Sequence, residues 1–362
     1  MATRRRTPAA DDPQTLPLFP PGSIGAGKPP STDSNGHGRS AVGHLEAPRP
    51  LPDWSGIPTI PPEVKFGTSS WTYPGWVGQI YQRPYKTLDS LGMLQEYVRC
   101  PLFGCVGVDS SFYRPPSRET LQRYRDLLPP GFEALGKVFD RVTIKRFGND
   151  PRLGPLADTD NPHFLDPVLC TEEVIGPWLE LLGDRAGPLL FEFQTLYPPH
   201  RPSPEAFADR LARFFEALPR EGRYAVELRN QELLHPAYFA ALRAHGVAHL
   251  FNAWTRMPTI GEQLQHPGSL TADFVVSRAL LVKGRTYDAS VDRFKPYDRL
   301  QEPQLEVRRD LLELIRQARE LSQKVYILVN NRLEGNSPGT ILALRQALAD
   351  ALATEPRSST AT

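Results

Sequence analysis

The chain has few residues that could form crosslinks and no segment that could span a membrane. It contains 3 cysteines among 362 residues, Cys100, Cys105 and Cys170, and no C-x-x-C pair. An odd number of cysteines is typical of free thiols in a reducing compartment. No run of eighteen apolar residues occurs, so the sequence predicts no transmembrane helix and no membrane partner.

An excess of charge of one sign is also missing. The formal net charge is +1, which does not indicate a nucleic-acid binder that relies on a strong basic field. Arginines 4–6 are not followed by an apolar segment, so no secretory signal is predicted and a cytoplasmic protein is expected. The sequence lacks H-E-x-x-H or similar ligand spacing, a P-loop and a nucleophile elbow, so we expect no metal and no cofactor.

Composition divides the chain into three parts. Residues 1–62 are rich in Pro, Gly and Ser and have no helical or strand period, which predicts a disordered tail. Residues 63–353 have the patterns of one folded domain, and residues 354–362 are predicted to be a loose C-terminus. One fragment of the tail, Gln14 with Leu18 and Phe19, resembles the short motif that docks bacterial proteins on the sliding clamp. The alternative, which we favour, is a chance apolar patch in a Pro-rich tail.

Eight short apolar segments alternate with helical patterns over the folded part. They are residues 65–70, 105–109, 132–138, 188–194, 224–230, 248–252, 274–278 and 324–330. Eight strands with helices between most of them predict an α/β fold, a single-domain (β/α)₈ TIM barrel. A doubly wound open sheet is the alternative, but no Gly-rich phosphate fingerprint follows the first strand.

Polar residues recur near the C-terminal ends of these strands. In the fifth strand Glu227 and Arg229 share one face, because side chains alternate along a strand. Strands four and five should be adjacent, so Glu192 and Glu227 should face each other with Lys137 beside them. Paired carboxylates can divide into an acid and a nucleophile or base, which makes these three the candidate catalytic residues. Alternatively, together with Arg229 they form a buried ion network that fixes the barrel mouth.

Further residues are candidates for ligand binding. Arg278, Asn330 and Asn331 follow strands seven and eight, where TIM barrels often hold phosphate, and arginine suits an anion. The alternative is that the asparagines cap loops and Arg278 is ion-paired. Asp109 ends the second strand and joins this set.

Aromatic residues follow the first two strands. Trp71 and Tyr113 could stack on a sugar or a base, together with Tyr73 and Trp76. The alternative is that these rings plug loops onto the barrel rim.

The motifs together resemble the YecE-like family, which carries the domain of unknown function 72. The resemblance rests on F-G-T-S-S-W at 66–71, D-S-S-F-Y at 109–113, P-L-L-F at 188–191, Y-A-V-E-L-R at 224–229, T-A-D-F at 271–274 and V-N-N at 329–331. It implies a TIM barrel over about residues 64–350 and implies no particular activity. The sequence departs from the family's usual pattern at two places. Glu192 stands in the fourth strand where a glutamine is usual, and R-A-L-L, beginning at Arg278, stands where R-L-H-G is usual.

Two hypotheses about function follow. The first is an enzyme, a metal-independent hydrolase, lyase or isomerase that acts on a small polar or anionic ligand, sugar- or phosphate-containing. Glu192 and Glu227 would do its acid–base work, and Lys137, Arg229 and Arg278 would orient the substrate. The second is a non-catalytic, nucleic-acid-linked adaptor whose tail docks on a sliding clamp.

Overall fold

The computed structural model describes residues 48–85, 89–149 and 151–354, and its centre is a sheet of eight parallel strands. The sheet order is β1-β8-β7-β6-β5-β4-β3-β2, so the sheet follows the chain and curls until its two end strands meet. The predicted TIM barrel is therefore confirmed, as a nearly closed one. The strands are β1 (Val64–Thr68), β2 (Cys105–Val108), β3 (Glu133–Lys137), β4 (Ala186–Glu192), β5 (Tyr224–Glu227), β6 (Ala248–Ala253), β7 (Phe274–Ala279) and β8 (Lys324–Val329).

Helices surround the barrel, and several begin where the sequence predicts. The Ser117 hydroxyl accepts a hydrogen bond from the backbone of Thr120, and Ser203, followed by Pro204, accepts one from Ala206. The helices are α1 (Ser90–Tyr97), α2 (Arg118–Leu127), α3 (Asp140–Thr143), α4 (Pro167–Cys170), α5 (Gly176–Leu182), α6 (Pro204–Glu216), α7 (Pro236–Ala244), α8 (Ile260–Leu264), α9 (Tyr287–Phe294), α10 (Leu305–Glu320), α11 (Asn331–Glu334) and α12 (Ser337–Thr354).

One predicted helix start is wrong. Thr171 follows a long polar connection over residues 139–170 and precedes two glutamates, a pattern that predicts the cap of the helix before β4. Instead Asp166 is the cap: its carboxylate accepts hydrogen bonds from the backbone of Val168 and Leu169. Because this carboxylate satisfies two free N–H groups, the helical segment begins at Pro167, and Thr171 lies inside it.

Residues 48–62, placed in the tail by composition, lie along the barrel where the structure describes them. Trp54, Ile57 and Ile60 are partly buried against the main hydrophobic core. Arg345 in α12 donates a hydrogen bond of 2.9 Å to the carbonyl of Pro58. The proline-rich composition of this stretch reflects an extended segment that packs through a few apolar residues.

The alternation of side chains separates two apolar regions. Inward-facing residues fill the barrel, and outward-facing residues pack against the helices. Residues of the inward group are Cys105, Leu135, Leu190, Ala225, Leu250, Val276, Tyr326 and Leu328. Because apolar side chains fill the middle of the barrel, polar chemistry is confined to its two ends.

The amino-terminal end of the barrel is closed by charge pairing around Glu133. Its carboxylate lies 2.5 Å from Lys65, 2.8 Å from Lys324 and 2.6 Å from Arg223. Burial raises the pKa of Glu133, but these three cations outweigh it and bring the pKa to about 2. The cations therefore keep this buried carboxylate ionised, and all three of its partners lie at the same end of the barrel.

The seam between β1 and β2 is bridged by a side chain. The backbone N–H of Thr68 donates to the Tyr97 hydroxyl at 3.0 Å, and that hydroxyl donates to the carbonyl of Cys105 at 3.2 Å. The backbone N–H of Gly104 donates directly to Phe66 at 2.8 Å. The Tyr97 hydroxyl thus substitutes for a direct hydrogen bond between the two strands. The backbones of β1 and β2 approach closely at Gly67.

Replacing Gly67 with alanine should open this seam. The added Cβ would lie 2.2 Å from the carbonyl oxygen of Cys105, a backbone atom that cannot swing away. We expect Gly67→Ala to cost about 1–3 kcal/mol and to lower the thermal midpoint by several degrees at roughly 2–4 °C per kcal/mol. Gly104→Ala is the matched control, because its Cβ would meet Lys65 Cγ at 3.5 Å, an ordinary contact. Equal midpoints for the two variants would contradict a tight seam.

Candidate functional site

The carboxyl ends of the strands form the mouth of the barrel, and polar side chains from five strands point into it. Register pairs Glu192 with Glu227 and Asn252 with Arg278, while Lys137 lies beside Leu190. Each polar residue follows an inward-facing apolar residue by two positions, which puts it on the inward face. The predicted opposition of the two glutamates across β4 and β5 is confirmed.

Arg278 is the centre of this group. Its Nη1 lies 2.7 Å from Glu192 Oε2 and 2.5 Å from Glu227 Oε2. Its Nη2 lies 2.9 Å and 3.0 Å from the two carboxylate oxygens of Asp109. One guanidinium therefore joins carboxylates from the ends of β2, β4 and β5.

Two further cations complete the network. Lys137 Nζ lies 3.0 Å from Glu192 Oε2, and Arg229 Nη2 lies 2.8 Å from the same oxygen and 2.7 Å from Glu227 Oε1. Burial raises the pKa of Glu192, but Arg229, Lys137 and Arg278 outweigh it and hold the pKa well below its usual range. We call these residues, Asp109, Lys137, Glu192, Glu227, Arg229 and Arg278, the mouth network.

The mouth network combines three positive and three negative groups, so its formal charges cancel. Five members are buried, and Glu192 is the exception with 18% of its side chain exposed. Buried charges are costly unless they are paired, and here every member has an oppositely charged partner. These contacts are those of the buried ion network, one of the two alternatives that the sequence left open. The catalytic roles of Glu192, Glu227 and Lys137 stay predictions.

Three residues at the mouth were missed in the sequence. Asn252 Nδ2 donates to the carbonyl of Leu228 at 2.8 Å and lies 3.3 Å from Glu227 Oε1. The ring of Trp254 lies 3.8 Å from the guanidinium of Arg229, and the ring of Phe112 lies 4.0 Å from Lys137 Nζ. Asn252 is the last residue of a predicted strand, and the alternation of side chains places it on the inward face. The same alternation identified Glu227, so it could have identified Asn252 as well.

Comparison with known proteins identifies the family. A family model described as "Protein of unknown function DUF72" matches residues 65–361. The chain belongs to this family. The resemblance inferred from the strand motifs is therefore confirmed, while a comparison with curated proteins found no significant match.

Two solved structures of DUF72 family proteins share the fold. One, from Thermotoga maritima, is 20% identical with a TM-score of 0.52, over 80% of this chain and 99% of that chain. Another, from Enterococcus faecalis, is 15% identical with a TM-score of 0.51, over 81% of this chain and 96% of that chain. At these identities the likeness concerns the fold alone.

The remaining predicted binding residues of this DUF72 domain have structural contacts. Asn330 accepts a hydrogen bond from the backbone of Arg332 at 3.1 Å, and Asn331 accepts one from the backbone of Ser337 at 2.7 Å. Trp71 is buried and donates to the carbonyl of Ser90 at 2.7 Å, whereas Tyr113 is exposed. The asparagines and Trp71 thus hold loops together, and ligand contact by any of the four stays a prediction.

Other predictions concern parts or partners of the chain. Gln14, Leu18 and Phe19 lie outside the described residues, so docking on a sliding clamp stays a prediction. Within the described ranges, no group of three or more His, Cys, Asp or Glu is placed to hold a metal ion. None of the described helices is long and apolar enough to cross a membrane.

The coupling inside the mouth network can be measured as stability. Arg278→Leu leaves three carboxylates with two cations and should cost about 3–5 kcal/mol, as breaking a buried ion pair does. Adding Asp109→Asn removes one of the carboxylates that Arg278 had paired. The free energy of unfolding of the double variant should therefore fall by at least about 1 kcal/mol less than the sum of the decreases in the two single variants. Chemical denaturation followed by tryptophan fluorescence gives these values.

Arg309→Leu is the control for this cycle. Arg309 is exposed, and its contacts with Glu306 and Asp310 are both 3.8 Å long. Its loss should change stability by no more than about 0.5 kcal/mol. Strictly additive losses for Arg278→Leu and Asp109→Asn would show that the mouth network is not a coupled unit.

Proposed function

We propose that the barrel mouth binds a small polar or anionic ligand, sugar- or phosphate-containing, and that Glu192 contacts it. The observation that carries this proposal is the exposure of Glu192, 18% in a network whose other five members are buried. An ionised carboxylate held by three cations is already ordered before a ligand arrives. A ligand hydroxyl that donates to it would therefore cost little reorganisation.

The charge of Glu192 limits its chemical role. Because its pKa lies well below the usual range, it is ionised at neutral pH and can accept a proton or attack as a nucleophile, but it cannot donate a proton. Glu227 is fully buried between Arg229 and Arg278, so it acts through them as a positioning residue. The proposed chemistry is hydrolysis, elimination or isomerisation, with Glu192 as base or nucleophile.

Aromatic side chains near the mouth support a ligand with a flat or ring-shaped face. Trp254 covers Arg229 after β6, and Phe112 covers Lys137 after β2. Tyr113 and Tyr197 are exposed on loops that leave the same end of the barrel. Aromatic rings beside charged groups are typical of sites that stack a sugar or base and orient it by hydrogen bonds.

A thermal-shift screen of the full chain against sugars, sugar phosphates and nucleotides tests the proposal. A ligand at about a hundred times its dissociation constant adds roughly 2.7 kcal/mol to stability. We expect one class of ligand to raise the thermal midpoint of the wild type but not that of Glu192→Gln. The shift of each protein is measured against the midpoint of that protein without ligand. The control is Glu180→Gln, which removes an exposed carboxylate paired with Arg118. A shift that survives in Glu192→Gln, or no shift with any class, contradicts the proposal.

A further inference from the structure

Arg332 is a buried cation that has no carboxylate partner in the part of the chain that the structure describes. It lies three residues beyond β8, in α11, and only 6% of it is exposed. Among the described residues, no carboxylate oxygen approaches its guanidinium within 4.0 Å. The nearby acid of the same helix, Glu334, is turned to Arg308 at 2.6 Å and to Thr340 at 2.6 Å. Buried arginines normally have an anion beside them, so this one has capacity for an external anion.

Tyrosine rings surround Arg332. Its guanidinium carbon lies 4.5 Å from the centre of the Tyr287 ring, and its side chain contacts the hydroxyl of Tyr297. The Tyr73 ring packs edge-on against Tyr297 at 5.7 Å. Burial raises the pKa of Tyr73 to about 12, although the charge of Arg332 opposes it, so this phenol stays neutral and can donate a hydrogen bond.

The backbone holds Tyr297 in an uncommon conformation. Its φ of 69° lies in the left-handed region, which non-glycine residues rarely adopt. Asn336 Nδ2 donates to its carbonyl at 2.8 Å, and its own N–H donates to Phe294 at 2.8 Å. Backbone strain of this kind is commonly retained where it positions a side chain for function.

These four residues lie at the same end of the barrel as the mouth network. Tyr73 follows β1, Tyr287 and Tyr297 follow β7, and Arg332 follows β8, so all are at the carboxyl end of the barrel. Tyr73 also feels the charge of Asp109, whose carboxylate is bonded to Arg278. The loops after the seventh and eighth strands are where TIM barrels often bind phosphate. Arg278, the cation that the sequence suggested for this role, is already paired with three carboxylates.

We infer that Arg332, with Tyr73, Tyr287 and Tyr297, forms an oxyanion subsite that takes the phosphoryl group of the ligand. The planar guanidinium presents two parallel donors, and the phenols of Tyr73 and Tyr297 supply donors for further oxygens. A phosphoryl group can use all of them, whereas a carboxylate has two oxygens. The inference rests on the proposed function and narrows the class of ligand. If the phosphoryl group binds at Arg332 and hydroxyl groups of the same ligand donate to Glu192, the ligand is a phosphorylated polyhydroxy compound.

Binding of inorganic phosphate tests the subsite without the rest of the ligand. Isothermal titration of the full chain with phosphate should give saturable binding that weakens at least about tenfold in Arg332→Gln, a loss of about 1.4 kcal/mol. Arg293→Gln is the control, because Arg293 also lies near an aromatic ring but is exposed and paired with Glu302; its affinity should stay within about twofold. Acetate forms the second arm, and tighter binding of acetate than of phosphate would overturn the assignment to a phosphoryl group.

Stability separates this role from a structural one. Arg332 has no counter-ion to lose within the described ranges, so Arg332→Gln should melt at or above the wild-type midpoint, unlike Arg278→Leu. If Arg332→Gln unfolds, the test passes to Tyr73→Phe and Tyr297→Phe, which keep the charge of Arg332. The inference then holds if these variants weaken phosphate binding severalfold, and it is overturned if they do not. Equal phosphate affinity in wild type and Arg332→Gln also overturns it.

The two proposals fail in different ways. A ligand that requires Glu192 but binds equally well to Arg332→Gln would keep the proposed function and overturn the subsite. Phosphate binding that requires Arg332, with no ligand that depends on Glu192, would support the subsite and contradict the proposed function.

Discussion

The barrel mouth depends on one interaction, the contact of the Arg278 guanidinium with three carboxylates from different strands. Asp109, Glu192 and Glu227 would repel one another if brought together alone, and Arg278 makes their approach favourable. Lys137 and Arg229 then bring the formal charge of the group to zero. The five buried charges are offset by pairing with one another and with Glu192. Because Glu192 is the exposed member of the group, it is the one that a ligand can reach.

Two arginines at the same end of the barrel therefore have opposite character. Arg278 is saturated by protein carboxylates and serves to order Glu192, whereas Arg332 is buried among phenols and lacks such a partner among the described residues. The first arrangement leaves no unpaired charge, and the second leaves a positive charge for an anion to neutralise. A ligand with a phosphoryl group and hydroxyls, as proposed, would contact both places.

The sequence predicted the barrel well because the evidence was local. Short apolar segments gave the strands to within three residues at each end, and the alternation of side chains placed Glu192 opposite Glu227. The site was harder to predict, because pairing is not local: Arg278 is 169 residues from Asp109 in the chain. Arg332 was missed for the same reason, since its environment is set by Tyr73, Tyr287 and Tyr297 from distant loops. No short pattern reveals that a basic residue will be buried without an acid.

The central claim is that Glu192 is an ionised carboxylate held by three cations and open to the mouth. Its side-chain ¹³C resonance, assigned by its loss in Glu192→Gln, can be followed by NMR while the pH is lowered from 7. A carboxyl whose pKa is depressed stays ionised as the pH falls through the usual glutamate range near 4.5 and takes up a proton only below it. We predict a chemical shift that does not change between pH 7 and 5. Titration of this resonance near neutral pH would contradict the account and identify Glu192 as a proton donor instead.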